Sequence, residues 1–323
     1  MRSGRRDRVS VAVSTAALLA LFAADASAQT SRTIRLVVPY TPASGPDIVS
    51  RLMADQVGRA QGVTMLVENR PGGGTTIGTE AVARAAPDGS TVLLVANSFV
   101  VNAALKKGNY DVSTSFEPVC QLASTPILIV ARSDSPYKSI DDFIAAARAS
   151  PGALSVAGSP SSSLQIAYEV FKRAANVELT YVPFGGTGPA INNLMGGHVV
   201  AVSADYPTTV PHLRSGALRP LVTAAAKRLE PLPDVPTFAE AGLGRYEDEI
   251  FYGVMAPAKT PDDTVRQLSG WLTDAMNAAE TKPRLAPQGL FASIRCGSEF
   301  GAYLRTMVEN YGRVVREANI KPE

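Results

Sequence analysis

The apolar positions along the chain alternate between two spacings, one typical of buried strands and one typical of amphipathic helices. The first continuous apolar run, TIRLVVPY (33–40), is followed by a segment whose apolar residues recur at helical spacing (47–60). The same alternation continues through TMLVEN (64–69), TIGTEAVARAA (76–86) and TVLLVAN (91–97). The order β-α-β-α-β predicts a sheet with parallel strands and right-handed crossovers.

A second block of alternating patterns begins at PILIVAR (126–132) and predicts another α/β lobe with a mainly parallel sheet. Its predicted strands are 154–159, 179–184, 199–204 and 218–224, and its predicted helices are 139–149, 163–175, 189–195 and 208–216.

Two amphipathic helices are predicted after the second block, at about 261–280 and 298–318. They have no sheet of their own, so we infer that they return to cover the first lobe and that the chain crosses between lobes near 119–126 and 250–257. The predicted division is 29–124 with 253–323 for the first lobe and 125–252 for the second. The fold class is therefore α/β with two lobes and two chain crossings.

The first residues predict a cleavable signal peptide rather than part of the fold. MRSGRRDR is basic, residues 9–24 are apolar but too short to span a bilayer well, and ASA (26–28) supplies small residues for cleavage after Ala28. We therefore predict export to the periplasm. The leader has four arginines and two aspartates, so its net +2 equals that of the whole chain. A nearly neutral mature protein argues against a nucleic-acid or anionic-membrane partner.

Signs of enzyme chemistry are scarce. The chain lacks G-x-S-x-G, H-E-x-x-H and G-x-x-x-x-G-K-[ST] motifs, and PGGGTTIG (71–78) has Ile77 where a dinucleotide fingerprint needs its third glycine. The only histidines, His198 and His212, lie beside a turn and a helix end, where surface or capping roles are expected. We predict no catalytic residues, no metal and no cofactor.

Five loops rich in Gly, Ser and Thr follow predicted strands, and most of them lead into helices. They are TPASGPD (41–47), NSFVVN (97–102), AGSPSSS (157–163), FGGTGPA (184–190) and ADYPTT (204–209). Ligands of open α/β sheets bind at this edge, and the unpaired N–H groups of helix N-termini suit an anion. One such loop is more simply explained by helix capping. Five of them across two lobes predict a shared binding cleft.

Several stretches together resemble the Bug-type periplasmic solute receptors of the tripartite tricarboxylate transporter family over nearly the whole mature length. They are IRLVVPYTP, VENRPGGGTTIGTEAVARAAPDGSTVLL, VPFGGTGPAINNLMGGHV, LPDVPTFAEAGL and YGVMAPAKTP. The resemblance implies a two-lobed flytrap that captures a small carboxylate and delivers it to membrane subunits. It also implies that loop amides, hydroxyls and waters hold the carboxylate without an obligatory arginine.

The chain departs from the family in the first loop, which usually reads Pro-Gly-Gly-Ser-Thr-Asp. Here Pro42 is followed by Ala-Ser-Gly-Pro-Asp, so Gly45 and Pro46 replace two hydroxyl residues and Pro46 has no N–H to donate. Gln165 stands near a usual His, and Ala204 and Asp205 stand where Asp-Asn is frequent. The predicted ligand-binding residues are Tyr40, Thr41, Ala43, Ser44, Gly45, Asp47, Ser98, Ser161, Ser162, Ser163, Gly186, Thr187, Ala190 and Asp205.

Some alternatives stay open at the level of sequence. The expected ligand is an aliphatic di- or tricarboxylate or an aromatic carboxylate. The aromatic alternative rests on five aromatic residues in or beside the candidate loops and crossings, Tyr40, Phe99, Phe184, Tyr206 and Phe251. At such positions core roles are more common than stacking against a ligand. A ligand sensor uses the same fold, and an exported hydrolase is a rival class. Cys120 and Cys296 form either a disulfide or two buried thiols. We expect a monomer.

Overall fold

The computed structural model of the protein describes residues 32–320 apart from residues 43, 245 and 247. The signal peptide predicted for residues 1–28 and the predicted site residue Ala43 therefore lie outside the described residues. Strands and helices alternate along most of the described chain.

The described residues form ten strands and ten α-helices. The strands are β1 (Thr33–Val38), β2 (Thr64–Asn69), β3 (Thr91–Ala96), β4 (Phe116–Arg132), β5 (Ser155–Gly158), β6 (Thr180–Pro183), β7 (Ala201–Asp205), β8 (Leu218–Thr223), β9 (Glu249–Pro257) and β10 (Phe291–Cys296). The helices are α1 (Gly45–Gln61), α2 (Thr76–Ala83), α3 (Asn97–Ala104), α4 (Ile140–Ala149), α5 (Ser163–Ala174), α6 (Thr187–Met195), α7 (Tyr206–Arg214), α8 (Asp262–Asn277), α9 (Thr281–Leu285) and α10 (Gly297–Glu317).

The first lobe is built on a sheet with the strand order β2-β1-β3-β9-β4. β1 pairs in parallel with β2 and β3, as the alternation of strands and helices predicts. Alternate residues of β1 enter different cores, with Leu36 and Val38 on one face and Val37 on the other. Because helices cover both faces, the strands read as continuous apolar runs and their connecting loops gather at the sheet edges.

One long strand, β4, joins the two lobes. Its first part pairs with β9 and β10, and Ile127–Arg132 pairs with β7 and β8. The sequence pattern predicted only the second part, because Pro118 and polar residues interrupt the apolar run before it. The chain returns at β9, whose Glu249 pairs with Pro126 of β4. The predicted two-lobed α/β fold with two crossings is confirmed.

The first sheet is mixed, because β9 runs antiparallel to β3 and β4, and the second lobe is also built on a mixed sheet. β5 pairs in parallel with β6 and β7, whereas β7 and β8 are antiparallel to β4. α4 begins at a capping box in which Ser139 and Asp142 satisfy each other's backbone N–H groups. The parallel strands β5 and β7 again place their following loops at one edge of the sheet, facing the first lobe.

The C-terminal helices pack on elements of the first sheet. α8 lies against α1 and β4, and α10 lies against α3 and β4. Between them, β10 adds an antiparallel strand to β4, which the sequence analysis did not predict. Cys296 of β10 lies opposite Cys120 of β4, and the two form a disulfide. The exact lobe boundaries stay a prediction.

Candidate ligand-binding site

A cavity of about 560 Å³ opens between the two lobes, beyond the carboxyl ends of β1, β3 and β7. Seven of the predicted site residues line it. Those from the first lobe are Tyr40, Ser44, Gly45 and Ser98, and those from the second are Ser162, Ser163 and Asp205. The structure therefore brings together residues that lie up to about 165 positions apart in the sequence.

Four helices begin at the wall of this cavity. The residues that precede their first turns, Ser44 for α1, Ala96 for α3, Ser162 for α5 and Asp205 for α7, all line the cavity. Only Asp205 uses its side chain to cap its helix. Helix N-termini carry unpaired N–H groups and partial positive charge, so four of them facing one cavity create a favourable environment for an anion.

Asp205 is held in place by donors from two helices. The hydroxyl of Thr187 donates to its Oδ1 atom, and the amide and hydroxyl of Thr208 donate to Oδ2 at 3.1 and 2.6 Å. Thr187 itself does not line the cavity, so it is placed to orient Asp205. Asp205 reaches the cavity from the carboxyl end of β7.

Six other predicted residues do not line the cavity: Thr41, Asp47, Ser161, Gly186, Thr187 and Ala190. Asp47 is buried, and its carboxylate accepts hydrogen bonds from Arg51 and Asn69 at 2.9 Å each. Ala190 is fully buried in the second lobe. The amide of Ser161 donates to Gln165 at 2.8 Å. The structure assigns packing and loop-forming contacts to these residues.

The hydroxyl groups of the first wall have neighbours in the protein. The Tyr40 and Ser98 hydroxyls lie 2.5 Å apart, and burial raises the pKa of Tyr40 to about 12. Ser44 donates to the carbonyl of Thr41 at 2.7 Å. Of the other candidate aromatic residues, Phe99 and Phe251 are buried in the core, as expected.

Sequence reasoning missed a set of lining residues. They are Pro46, Ile48, Ala96, Asn97, Pro207, Thr208, Val210, Pro211, Arg214, Ile250, Tyr252, Pro287, Gln288 and Leu290. Those on α7 recur at intervals of three or four, the spacing of one helical face, so this periodicity could have revealed them. Residues 287–290 carry no such signal, because they reach the cavity only through the docking of the C-terminal segment.

Among the described residues that line the cavity, Asp205 is the one acid and Arg214 the one base, and the others are neutral. Apolar side chains, among them Ile48, Val210 and Leu290, supply a large part of it. His198 is exposed at the opposite end of α6, and no cluster of metal-binding side chains is found among the described residues. Within the same part of the chain, no helix is long and apolar enough to cross a bilayer.

Comparison with known proteins identifies the family. Residues 49–320 match the model described as tripartite tricarboxylate transporter family receptor. The chain belongs to this family. It is also 29% identical to BugT of Bordetella pertussis over 317 residues, and this alignment covers 97% of each protein.

Solved structures of similar proteins have the same fold. An R. palustris protein solved with adipate matches with a TM-score of 0.80 at 29% identity, and the match covers 91% of this chain and 100% of the other. MatC from Rhodopseudomonas palustris, solved with bound malate, matches with a TM-score of 0.76 at 30% identity over 88% and 99% of the two chains. The present chain is therefore a solute-binding receptor of the periplasmic binding protein fold.

Proposed function

We propose that the protein captures a small organic carboxylate in the cavity between its lobes and delivers it to membrane subunits of a tripartite tricarboxylate transporter. The observation that carries this proposal is the convergence of four helix N-termini on one cavity. Backbone N–H groups stabilise a carboxylate without a cationic side chain. The family assignment and the adipate- and malate-bound relatives support the same ligand class.

The energies of such contacts are sufficient for capture. A hydrogen bond to a charged group contributes about 1.5–3 kcal/mol, so four of them give roughly 6–12 kcal/mol before the cost of ordering. Micromolar affinity needs about 8 kcal/mol net. The apolar part of the wall adds burial of the ligand's carbon skeleton, which favours an aliphatic dicarboxylate or an aromatic carboxylate over a compact, highly charged acid.

The accompanying assignments form part of this proposal. The receptor acts in the periplasm after cleavage behind Ala28, works as a monomer and catalyses no reaction. N-terminal sequencing of the protein from a periplasmic fraction should begin at Gln29. In size-exclusion chromatography, the elution volume of the protein should correspond to the mass of a single chain. Retention of residues 1–28 in the exported protein would contradict the assigned leader.

The ligand class is tested by thermal shift with adipate, malate and benzoate, and with glucose and choline as non-acidic controls. At a hundredfold excess over Kd, a true ligand should add about 2.7 kcal/mol to the free energy of unfolding. Ser98→Trp should abolish this stabilisation because Ser98 lines the cavity. Ser113→Trp, at an exposed loop position, serves as the matched control. Stabilisation of the wild type by glucose or choline, but by none of the three acids, would overturn the proposal.

A further inference from the structure

Tyr252 presents its hydroxyl group to the cavity. The residue lies on β9 with only 4% of its surface exposed, and its side chain forms part of the cavity wall. Within residues 32–320, where described, its hydroxyl makes no hydrogen bond. Two other buried tyrosines are paired within the protein: Tyr168 donates to the carbonyl of Leu179 at 3.1 Å, and Tyr311 donates to Asp248 at 2.7 Å.

The ring of Tyr252 is buried, but its hydroxyl oxygen borders the cavity. Phenylalanine would fill the same volume, so packing alone does not require the hydroxyl, and a polar group at such a position is normally hydrogen-bonded. The hydroxyl of Tyr252 therefore needs a partner from the cavity, either water or a bound ligand. Its position decides which part of a ligand it would meet.

The hydroxyl lies directly against the first turn of α1. A Cβ atom placed on Gly45 would come within 2.8 Å of the Tyr252 hydroxyl oxygen and 3.4 Å of the adjoining ring carbon. The absence of a side chain at Gly45 thus makes room for this hydroxyl. The next residue, Pro46, has no N–H, so the helix terminus lacks one of its usual donors at this point.

Burial raises the pKa of Tyr252 well above its usual value, and the nearby Asp205 and Tyr40 act in the same direction. The hydroxyl consequently stays protonated and can serve as a donor at any physiological pH.

We infer that Tyr252 is a ligand-binding residue, whose hydroxyl donates a hydrogen bond to a ligand carboxylate at the N-terminus of α1 and supplies the donor that Pro46 lacks. This inference rests on the proposed function and adds a named contact to it. Gly45 and Tyr252 then act as a pair, since the small residue keeps the hydroxyl in place. Their positions, 207 residues apart, meet only because β9 returns to the first sheet.

The direct test is calorimetry of Tyr252→Phe with whichever of adipate, malate and benzoate binds the wild type most tightly. Loss of a hydrogen bond to a charged group should weaken binding about ten- to hundredfold. The apo melting temperature should stay within about 2 °C, because the hydroxyl has no partner in the apo protein. Tyr168→Phe is the matched control, and it should lower the melting temperature but leave affinity unchanged.

A double-mutant cycle tests the pairing with Gly45. Gly45→Ala should weaken binding at least tenfold in the wild type, because the new methyl group displaces the hydroxyl. In the Tyr252→Phe background the methyl meets only the ring carbon, so the further loss should be at most threefold. Additive effects, or unchanged affinity in Tyr252→Phe, would overturn the inference while leaving the proposed function intact. A wild-type protein that binds none of the acids overturns both.

Discussion

At the scale of single residues, not every hydroxyl group that lines the cavity is available to donate a hydrogen bond to a ligand. Ser44 and Ser162 donate their hydroxyl hydrogens to the carbonyls of Thr41 and Ser159 at 2.7 and 2.6 Å. These serines stabilise the loops in their present shape. Donation to a carboxylate therefore falls mainly to backbone N–H groups, which makes the missing N–H of Pro46 important.

Pro46→Ala should strengthen carboxylate binding by about three- to thirtyfold. The substitution restores an N–H group in the first turn of α1, and Pro46 already lines the cavity. The cost in stability should be at most about 1 kcal/mol, since the main loss is the stiffness that proline gives the unfolded chain. Calorimetry with the best acid measures the affinity, and Pro233→Ala in a distant exposed turn is the control. Weaker binding would show that the restored N–H is not directed at the ligand.

Thr187→Ala should reduce affinity indirectly. The Thr187 hydroxyl donates to Asp205, which keeps its two donors from Thr208 after the substitution. We therefore expect a loss of about two- to tenfold, smaller than removal of a direct ligand contact would cause. Asp205→Ala should change affinity at least as much, because it removes the positioned group itself, and it should also destabilise the fold by about 1 kcal/mol, because α7 loses its cap. A larger effect of Thr187→Ala than of Asp205→Ala would place the Thr187 hydroxyl on the ligand itself.

At the scale of elements, the start of α3 is joined to the returning strand β9. Asn97 donates to the carbonyl of Glu249 at 3.0 Å and accepts from the amide of Phe251 at 2.8 Å. It also donates to the hydroxyl of Tyr311, at 2.7 Å, which in turn donates to the buried carboxyl of Asp248. Because Asn97 lines the cavity as well, one side chain connects the ligand site to the second crossing between the lobes.

The free energy of unfolding should depend on the protonation of Asp248. Burial raises its pKa from 3.8 to about 7, although hydrogen bonds from Tyr311 and Tyr246 oppose the shift. Between about pH 4 and 7 the folded state thus holds a proton that the unfolded state has lost, so this residue's contribution to stability falls as pH rises, by at most about 1.4 kcal/mol per unit.

The measurement is denaturant unfolding of the wild type and Asp248→Asn at intervals from pH 4 to pH 8. The stability of the wild type relative to the variant should decrease up to about pH 7 and then level off. A relative stability that is constant or increases with pH would mean that Asp248 is ionised in the folded protein throughout this range.

At the scale of the whole molecule, the disulfide closes a long loop without joining the two lobes. Cys120 and Cys296 lie on β4 and β10, which are adjacent strands of the first sheet, and are separated by 176 residues. The closed loop includes the entire second sheet. The bond therefore restricts the unfolded chain strongly while leaving relative movement of the lobes free.

Replacing both cysteines with alanine should lower the free energy of unfolding by about 2–5 kcal/mol. Ligand affinity should stay within threefold of the wild type, because neither cysteine lines the cavity. Denaturant unfolding and calorimetry of the same preparation give both quantities. A large loss of affinity in a double variant that is still fully folded would show that the disulfide fixes the geometry of the cavity.

The sequence alone determined the alternation of strands and helices, the loops that face the cavity and the family. These features depend on local periodicity and on motifs such as GGTGPA (185–190), which are legible without knowledge of distant contacts. Residues at the N-terminal ends of helices could be predicted as site residues for the same reason. Six of them, together with Tyr40 after β1, do line the cavity.

Only the tertiary structure decided which of those residues face the ligand cavity and what lies opposite them. The antiparallel insertion of β9 places Tyr252 against Gly45, and docking of the C-terminal segment brings Gln288 to the wall. Thr187 turned out to contact Asp205 because α6 and α7 begin side by side. Each of these contacts joins residues far apart in sequence, or in separate elements, whose pairing is set by packing of the whole sheet. No local pattern of apolar and polar positions records such pairing.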